Sequence, residues 1–266
     1  MKEIYLIAIK AAIEAGREIM KIYDNKDFQV EIKFDDSPLT IADKRANDII
    51  NKYLLPTGVP IISEENKQLD FSQRKKWPEC WIVDPLDGTK EFIKRNGEFT
   101  VNIAFIHMNA PIFGVIYVPA KNQLYFGDVL RKLSYKVAVS PDEEFSLSQA
   151  KLKQIGHSSG VEKIRVVGSR SHMNDDTLLF IEKLKTKYNK EVEIVSKGSS
   201  LKFCLVAEGE ADVYPRFAPT MEWDTAAGQA ICESAGLKVI DQESLLPMLY
   251  NRENLLNNYF LVTAFG

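Results

Sequence analysis

The chain has 266 residues, of which 45% are hydrophobic and 27% are charged. This composition is that of a globular protein, and the length suffices to bury the core of one large domain or of two modest ones. The formal net charge is −3, with acidic and basic residues interspersed. That pattern excludes a broadly basic surface for a nucleic-acid polymer, although a small anionic ligand remains compatible with it.

The first third of the chain predicts two amphipathic helices with a strand between them. Apolar residues spaced by threes and fours predict a helix over 3–23, and the charged residues among them exclude a signal peptide or a membrane-spanning segment. Alternation predicts a strand over 28–34 and a turn over 35–38. A second helix is predicted over 40–55, with Thr40 near its N-cap and Asp43 in its first turn.

The cysteines indicate the compartment in which the protein resides. Cys80, Cys204 and Cys232 are far apart in apolar surroundings, and no C-x-x-C pair is present. We therefore predict buried free thiols in a reducing cytoplasm rather than a zinc site or a disulfide framework. Whether the protein also associates peripherally with the inner membrane is left open by the sequence.

Two predicted strands end in acidic residues. The strand over 59–62 runs into Ser63, Glu64 and Glu65, and the strand over 80–83 ends on Asp84, with Asp87 following after a turn at Pro85. If the two strands are adjacent, these carboxylates meet at one edge of a sheet, where a divalent cation relieves their repulsion. The alternatives are a solvated loop at Glu64 and Glu65 and an ordinary polar turn after Asp84.

The remaining elements divide the chain into two parts. Strands over 99–106, 111–118, 123–126 and 132–139 predict an antiparallel meander, and 141–159 reads as a loop or linker. We predict an N-terminal α+β metal-binding half over 1–140 and a C-terminal α/β half over 160–266, with the active site between them. Five strands and three helices of the second half are predicted, namely strands at 165–168, 192–195, 211–214, around Lys238 and at 259–263, and helices from Asn174 or Asp175 to about 188, from the cluster after Lys197 to about 208, and over 225–235.

Polar clusters precede the three helices of the second half. They are Ser169 to His172, Ser199 to Lys202, and Glu222 to Asp224, and helix N-termini favour anions. Asp224 is either an N-cap or a fourth carboxylate beside Glu64, Asp84 and Asp87. Thr89 is likewise either a helix cap or a relay beside a metal-bound water, in which case Asp43 orients its hydroxyl.

Three separated motifs carry a family resemblance over nearly the whole chain, from Thr40-Ile-Ala-Asp43 onward. They are Glu64-Glu65 after a strand, Asp84-Pro-Leu-Asp-Gly-Thr89, and Trp223-Asp-Thr-Ala-Ala-Gly228. In this order they resemble the lithium-sensitive, magnesium-dependent phosphatases of the inositol monophosphatase superfamily. The resemblance implies an α/β fold with α+β layers, the αβαβα sandwich of the inositol monophosphatase and fructose-1,6-bisphosphatase type. It also implies two or three Mg²⁺ ions per site and inhibition by Li⁺.

Further segments are similar to one group within that superfamily, the CysQ-type 3'(2'),5'-bisphosphate nucleotidases. These segments are Asp87 to Asn102, Ser169-Arg-Ser-His172, Gly198 to Cys204 and Tyr214-Pro-Arg216. The likeness implies hydrolysis of adenosine 3',5'-bisphosphate to AMP and phosphate by a metal-activated water. It extends to release of the 3'-phosphate from the 5'-phosphosulfate analogue, in sulfur assimilation or nucleotide recycling. The implied partner is a small bisphosphate nucleotide, and the oligomeric state stays undecided.

The resemblance also implies roles for individual residues. The metal ligands would be Glu64, Asp84, the carbonyl of Leu86, Asp87 and Asp224, and the catalytic residues would be Asp43, Glu64, Asp87 and Thr89. The substrate would be bound by Glu64, Asp87, Gly88, Thr89, Lys90, His172, Ser199, Lys202, Arg216 and Asp224. The family often has glycine before its two glutamates, where this chain has Ser63.

Three other functions fit parts of the pattern. The first is a phosphatase of the same superfamily that acts on inositol or fructose phosphates. The second is a haloacid-dehalogenase-like phosphatase, a class that has an Asp-x-Asp-Gly-Thr motif after a strand and forms an aspartyl-phosphate. Here two residues, Pro85 and Leu86, separate the aspartates. The third is a nucleotide or metal sensor without catalysis, which the complete set of acids and Thr89 disfavours.

Overall fold

The computed structural model describes residues 1–24, 30–32, 38–156, 162–168 and 174–265. Its helices are α1 (Glu3–Tyr23), α2 (Ile41–Leu54), α3 (Phe71–Arg74), α4 (Thr89–Ile93), α5 (Asp175–Tyr188), α6 (Leu201–Ala207) and α7 (Glu222–Ser234). Its strands are β1 (Val30–Ile32), β2 (Pro38–Thr40), β3 (Ile61–Ser63), β4 (Glu79–Asp87), β5 (Thr100–His107), β6 (Ala110–Val118), β7 (Gln123–Asp128), β8 (Leu133–Ala138), β9 (Lys153–Ile155), β10 (Ile164–Gly168), β11 (Val192–Ser196), β12 (Val213–Arg216), β13 (Lys238–Asp241) and β14 (Phe260–Thr263). Two short 3-10 helices span Leu55–Thr57 and Pro119–Lys121.

The larger sheet has seven strands in the order β3-β4-β5-β6-β7-β8-β9. Strand β3 pairs with β4 in parallel, with Ser63 beside Val83, and all the other pairs in this sheet are antiparallel. The two acid-terminated strands are thus adjacent, which is the condition under which their carboxylates were expected to meet. Because parallel neighbours end at the same edge, Glu64 and Asp84 leave the sheet side by side.

The smaller sheet has five strands in the order β11-β10-β12-β14-β13. Strands β10, β11 and β12 are parallel, and β14 runs antiparallel to both β12 and β13. Strand β10 ends at Gly168 and β11 at Ser196, so the polar segment after Ser196 leaves the carboxyl end of this sheet.

The two sheets and their helices form five layers. One core joins α1 and α2 to one face of the seven-stranded sheet, and a second joins its other face to α6, α7 and the smaller sheet. A third, smaller core lies between α5 and the outer face of the five-stranded sheet. The predicted α/β class and αβαβα sandwich are therefore confirmed, and each layer follows from burial of an apolar helix stripe against a sheet.

Two glycines on neighbouring strands allow α7 to lie close to the larger sheet. Gly114 on β6 and Gly127 on β7 are register partners. A Cβ atom at Gly114 would lie 2.4 Å from the carbonyl oxygen of Ala227, and one at Gly127 would lie 2.9 Å from the Cα atom of Ile231. Both contacts are with helix backbone, so only glycine permits this approach. The position of α7 matters because its first turn carries Asp224.

Some predicted boundaries differ from the structure. Strand β4 does not end at Asp84 but continues to Asp87, with an irregularity in its pairing with β5 between these residues. The segment 141–159, predicted as a loop or linker, contains β9, which pairs with β8. This strand was not predicted because it has only three residues and lies in a polar segment. The strand predicted over 28–34 is described only as β1, and the rest of it and residues 35–37 of the turn lie outside the described residues.

The remaining local predictions can be compared with single residues. Asn174 is the N-cap of α5, since its side chain accepts a hydrogen bond from the Thr177 N–H at 3.1 Å. The three cysteines are free and buried, and burial raises the pKa of Cys80 to about 12. None of the described helices has the length and apolarity needed to cross a bilayer. The division into halves at 1–140 and 160–266 stays a prediction.

Candidate active site

Three carboxylates meet at the edge of the larger sheet. Oxygen atoms of Asp84, Asp87 and Asp224 all lie within 4.8 Å of one another. Asp84 and Asp87 lie in the last four residues of β4. Asp224 lies in the first turn of α7, 137 residues after Asp87 in the chain. Among the described residues this is the one cluster of such side chains with the spacing of a metal site.

Burial makes this cluster unfavourable without a cation. The Asp84 side chain is 1% exposed. Burial raises the pKa of Asp84 well above its usual value, and the charges of Glu64, Asp87, Asp224 and Asp43 raise it further. Burial, followed by the charge of Asp87, raises the pKa of Asp224 to about 8. Buried carboxylates that repel each other are the donor set that a hard divalent cation stabilises, so the residues present fit such an ion.

Hydrogen bonds fix the individual carboxylates. Oδ1 of Asp84 accepts from the Leu86 N–H at 3.1 Å, which holds the tight turn through Pro85. Oδ2 of Asp224 accepts from the Met221 N–H at 2.8 Å. Asp224 is therefore not the N-cap of α7, which is Met221. It lies in the first turn of the helix, where its carboxylate accepts a hydrogen bond from the N-cap N–H, and it belongs to the cluster.

The positions of Glu64 and Asp43 agree with an electrostatic link to the cluster. The Glu64 N–H donates to the carbonyl oxygen of Val83 at 3.2 Å, which keeps the residue beside β4. Asp43 is buried in the first turn of α2 and is 1% exposed. Both charges contribute to the raised pKa of Asp84. Their assigned roles as ligand and as orienting residue stay predictions.

The turn after Asp87 requires a glycine. Gly88 has φ of 93°, a conformation that residues with a side chain rarely adopt. A Cβ atom there would also lie 3.1 Å from the carbonyl oxygen of Glu98. Thr89 begins α4, and its hydroxyl donates to the carbonyl oxygen of Leu86 at 3.4 Å. The contact between Thr89 and Asp43 stays a prediction.

A polar cleft of about 470 Å³ adjoins the cluster. The lining includes Asp87, Gly88, Lys90, Ser199, Lys202, Arg216 and Asp224, all named in the sequence prediction. His172 lies outside the described residues. The cleft therefore brings the carboxylates and the cationic and hydroxyl side chains predicted for the nucleotide into one space.

Lys202 is the unusual cation of this cleft. Its side chain is 6% exposed, its Nζ atom donates to the carbonyl oxygen of Ser199 at 2.6 Å, and the ammonium lies 5.6 Å from the centre of the Tyr214 ring. Burial lowers the pKa of Lys202 to about 8, against the opposing effect of Asp87. Surface solvation, the alternative to a functional role, does not describe a lysine that is buried to this degree.

Two other side chains of the cleft carry buried polar groups without a hydrogen-bond partner among the described residues. The Nη2 atom of Arg216 donates to the Pro219 carbonyl at 3.1 Å, and its Nε–H is buried without a hydrogen-bond partner among the described residues. The buried hydroxyl of Ser199 has no such partner in the described parts of the chain either. Buried polar groups of this kind are costly unless a ligand satisfies them.

The sequence prediction missed two polar residues that contact the cluster. Ser200 donates to Asp87 through both its N–H and its hydroxyl, and Asn102 donates to the Ser200 hydroxyl at 3.0 Å. The Gly198-Ser199-Ser200 sequence between a strand and a helix was a signal for a ligand-binding turn, but only Ser199 was chosen from it. No local pattern singles out Asn102, which lies within an apolar strand.

Comparison with known proteins gives the family. The model of the "Inositol monophosphatase family" matches residues 1–259. The chain belongs to the inositol monophosphatase family. Solved members of this family that are about 22% identical share the fold, such as the inositol monophosphatase from Anabaena (Nostoc) sp. PCC 7120, with a TM-score of 0.70 over 97% of this chain and 89% of that one.

Several similar family members carry one name. The 3'(2'),5'-bisphosphate nucleotidase CysQ of Salmonella typhimurium strain LT2 is 41% identical, over 96% of this chain and 97% of the relative. The protein of the same name from Escherichia coli K12 is 42% identical, over the same shares. The crystal structure of CysQ from Bacteroides thetaiotaomicron has a TM-score of 0.88 at 49% identity, over 98% of this chain and 96% of that one.

Proposed function

We propose that this family member is a magnesium-dependent 3'(2'),5'-bisphosphate nucleotidase that hydrolyses adenosine 3',5'-bisphosphate to AMP and phosphate. The observation that carries the proposal is a three-carboxylate cluster that shares a cleft with a buried lysine and an arginine. A site for a single phosphate needs the acids and their metal ions, but it does not need a second set of cations. The names of the similar family members support the same substrate.

The acidic residues form the metal-binding half of the proposed site. Two or three Mg²⁺ ions would be held by Glu64, Asp84, Asp87, Asp224 and the Leu86 carbonyl, and Li⁺ would inhibit by competing for the same positions. When bound, the ions activate a water molecule and neutralise charge on the phosphate. Oxygen donors and the absence of sulfur ligands from the cluster favour Mg²⁺ over softer metals.

The chain's own groups orient the reactants. The hydroxyl of Thr89 accepts a hydrogen bond from the attacking water, and Asp43 fixes the direction of that hydroxyl. The 3'-phosphate is bound by Gly88, Thr89 and Lys90. This places the attacking water in line with the phosphorus and the ribose oxygen that leaves. No phosphoenzyme forms, because water rather than Asp84 attacks the phosphorus.

The second half of the site selects the nucleotide. Lys202 and Arg216 bind the 5'-phosphate, and His172 and Ser199 bind the nucleotide beside it. The same set accepts a 5'-phosphosulfate. The enzyme acts on this soluble small molecule in the cytoplasm.

The test is a comparison of substrates with purified protein and Mg²⁺. Charged hydrogen bonds to the 5'-phosphate favour adenosine 3',5'-bisphosphate over inositol 1-phosphate by about 100-fold or more in kcat/KM. Preference for inositol 1-phosphate would show that the protein is a phosphatase of the same superfamily that acts on inositol phosphates. A trapped phospho-Asp84 would instead overturn the water mechanism, and binding without hydrolysis would indicate a sensor.

A further inference from the structure

The Asp87 carboxylate is held by a residue from the other side of the cleft. Its Oδ2 atom accepts hydrogen bonds from both the N–H of Ser200, at 2.6 Å, and the Ser200 hydroxyl, at 2.7 Å. Two short bonds to one oxygen occupy the lone pairs of that oxygen. The lone pairs of the other oxygen, Oδ1, are then the ones that Asp87 can offer to a cation.

The Ser200 hydroxyl is itself fixed by its surroundings. The residue is 3% exposed. The amide of Asn102 donates to its Oγ atom at 3.0 Å, and the carbonyl oxygen of Asp224 lies 2.9 Å from the same atom. The single proton of the hydroxyl therefore has two neighbouring acceptors, of which the carboxylate is the stronger. Contacts to β4, β5 and α7 therefore fix the position of the hydroxyl oxygen.

The same turn carries residues of the nucleotide side. Ser199 precedes Ser200, has φ of 43°, and accepts a hydrogen bond from Lys202 through its carbonyl oxygen. Any movement of Ser199 and Lys202 on nucleotide binding therefore acts on the N–H and hydroxyl that hold Asp87. The reverse also holds, since coupling between two binding sites is reciprocal.

We infer that Ser200 is a positioning residue, which orients Asp87 for the metal and couples metal binding to nucleotide binding. This inference rests on the proposed metal-dependent function. Ser200 does not contact the reacting atoms in this account; it acts through Asp87. Outer-shell partners of metal ligands commonly change metal affinity by 10–100-fold, and they do so by fixing the orientation of the ligand.

The test measures Mg²⁺ affinity by calorimetry on nucleotide-free protein, so the readout does not depend on turnover. Ser200→Ala keeps the backbone N–H and loses the hydroxyl, so we expect Mg²⁺ to bind about 10-fold more weakly. Ser200→Thr restores the hydroxyl and returns the affinity to within about threefold of the wild type. Wild-type affinity in Ser200→Ala would overturn the inference.

Matched variants separate positioning from a loss of packing. Ser234→Ala removes another buried hydroxyl, one bonded to the Ile231 carbonyl at 2.9 Å at the opposite end of α7 from Asp224, and should leave Mg²⁺ affinity unchanged. Ser200→Cys retains the side-chain volume but offers a weak donor. If Ser200→Ala does not fold, this variant decides: weakened Mg²⁺ binding supports positioning, and wild-type binding contradicts it.

A last comparison tests the coupling. AMP should tighten Mg²⁺ binding to the wild-type protein more than to Ser200→Ala, and an equal effect on both would contradict the coupling. Ser199→Ala should weaken AMP binding with little change in Mg²⁺ affinity. A wild-type protein that binds no Mg²⁺ at all would refute the proposed function itself, which distinguishes that failure from failure of the positioning role.

Discussion

At the scale of single residues, the buried charged side chains of the site destabilise the free protein and are the groups that bind ligands. Asp84 lies near the end of β4, where burial and the charges of four neighbouring acids raise its pKa. Lys202 is buried in the same cleft as Asp87, and burial lowers its pKa to about 8. Such groups cost stability in the free protein, and ligands relieve that cost.

Replacement of Asp84 by asparagine tests the acidic side. Asp84→Asn removes a charge but keeps an oxygen that can accept from the Leu86 N–H, so the fold should persist. We expect activity to fall by at least about 100-fold, as for loss of a metal ligand. Because one of the repelling buried charges is gone, the melting temperature of the metal-free protein should rise. Full activity together with unchanged melting would contradict the assignment.

The Lys202 ammonium predicts a pH dependence of binding. Because its pKa in the folded free protein is about 8, the cation is present below this pH and lost as pH rises through it. The KM for adenosine 3',5'-bisphosphate should therefore increase above pH 8. The dependence should be weaker for adenosine 3'-phosphate, which lacks the 5'-phosphate, and should flatten in Lys202→Arg because arginine stays charged. A KM that is constant from pH 7 to 9.5 would exclude a binding role for this cation.

At the scale of elements, the position of α7 connects packing to the site. Gly114 and Gly127 let α7 lie against the larger sheet, and the first turn of α7 delivers Asp224 to the cluster. The loop after β3 is fixed by side-chain hydrogen bonds. Ser63, which stands where the family often has glycine, donates to the Asn47 side chain of α2 at 2.8 Å, and Asn47 in turn donates to Asn66 at 2.9 Å.

An alanine at Gly114 should displace α7. Its Cβ atom meets the Ala227 carbonyl at 2.4 Å, and helix backbone cannot turn aside as a side chain can. We expect Gly114→Ala to lower the free energy of unfolding by about 1–3 kcal/mol in urea titrations. Mg²⁺ affinity should fall with it, because Asp224 moves with α7.

A second glycine supplies the control. The nearest atom to a Cβ at Gly156 is the Ala235 carbonyl oxygen at 3.8 Å, which is an ordinary contact. Gly156→Ala should therefore change stability by no more than about 0.5 kcal/mol. If both variants behaved alike, the close approach of α7 would not be a determinant of stability.

Periodicity and acid placement made much of this predictable. Apolar runs that end in carboxylates predicted strands at β3 and β4, and a shared cation site was expected if the two strands were adjacent. Their parallel pairing in the structure meets that condition. Strand β9 was missed because a strand of three residues, of which only Ile155 is apolar, is too short to carry a periodic signal. Ser200 and Asn102 were missed for a different reason: their importance depends on a contact between residues 98 positions apart, which no local pattern encodes.

At the scale of the whole molecule, function depends on joining two distant parts of the chain. The acids of β4 meet α7 and the turn after β11, and the Ser200–Asp87 hydrogen bonds close this contact. The net charge of −3 concealed a cleft that contains Lys90, Lys94, Lys202 and Arg216. The cleft thus combines acids that suit metal ions with cations that suit a phosphate.

The most direct test of this account is phosphate release from adenosine 3',5'-bisphosphate, with the nucleotide product identified. We predict one phosphate per nucleotide and AMP as the product, with Mg²⁺ required, release abolished by a chelator, and activity restored by added Mg²⁺. Adenosine 3'-phosphate as the product would show that the 3'- and 5'-phosphates have been assigned to the wrong binding residues. Undiminished release after removal of divalent cations would contradict the central claim.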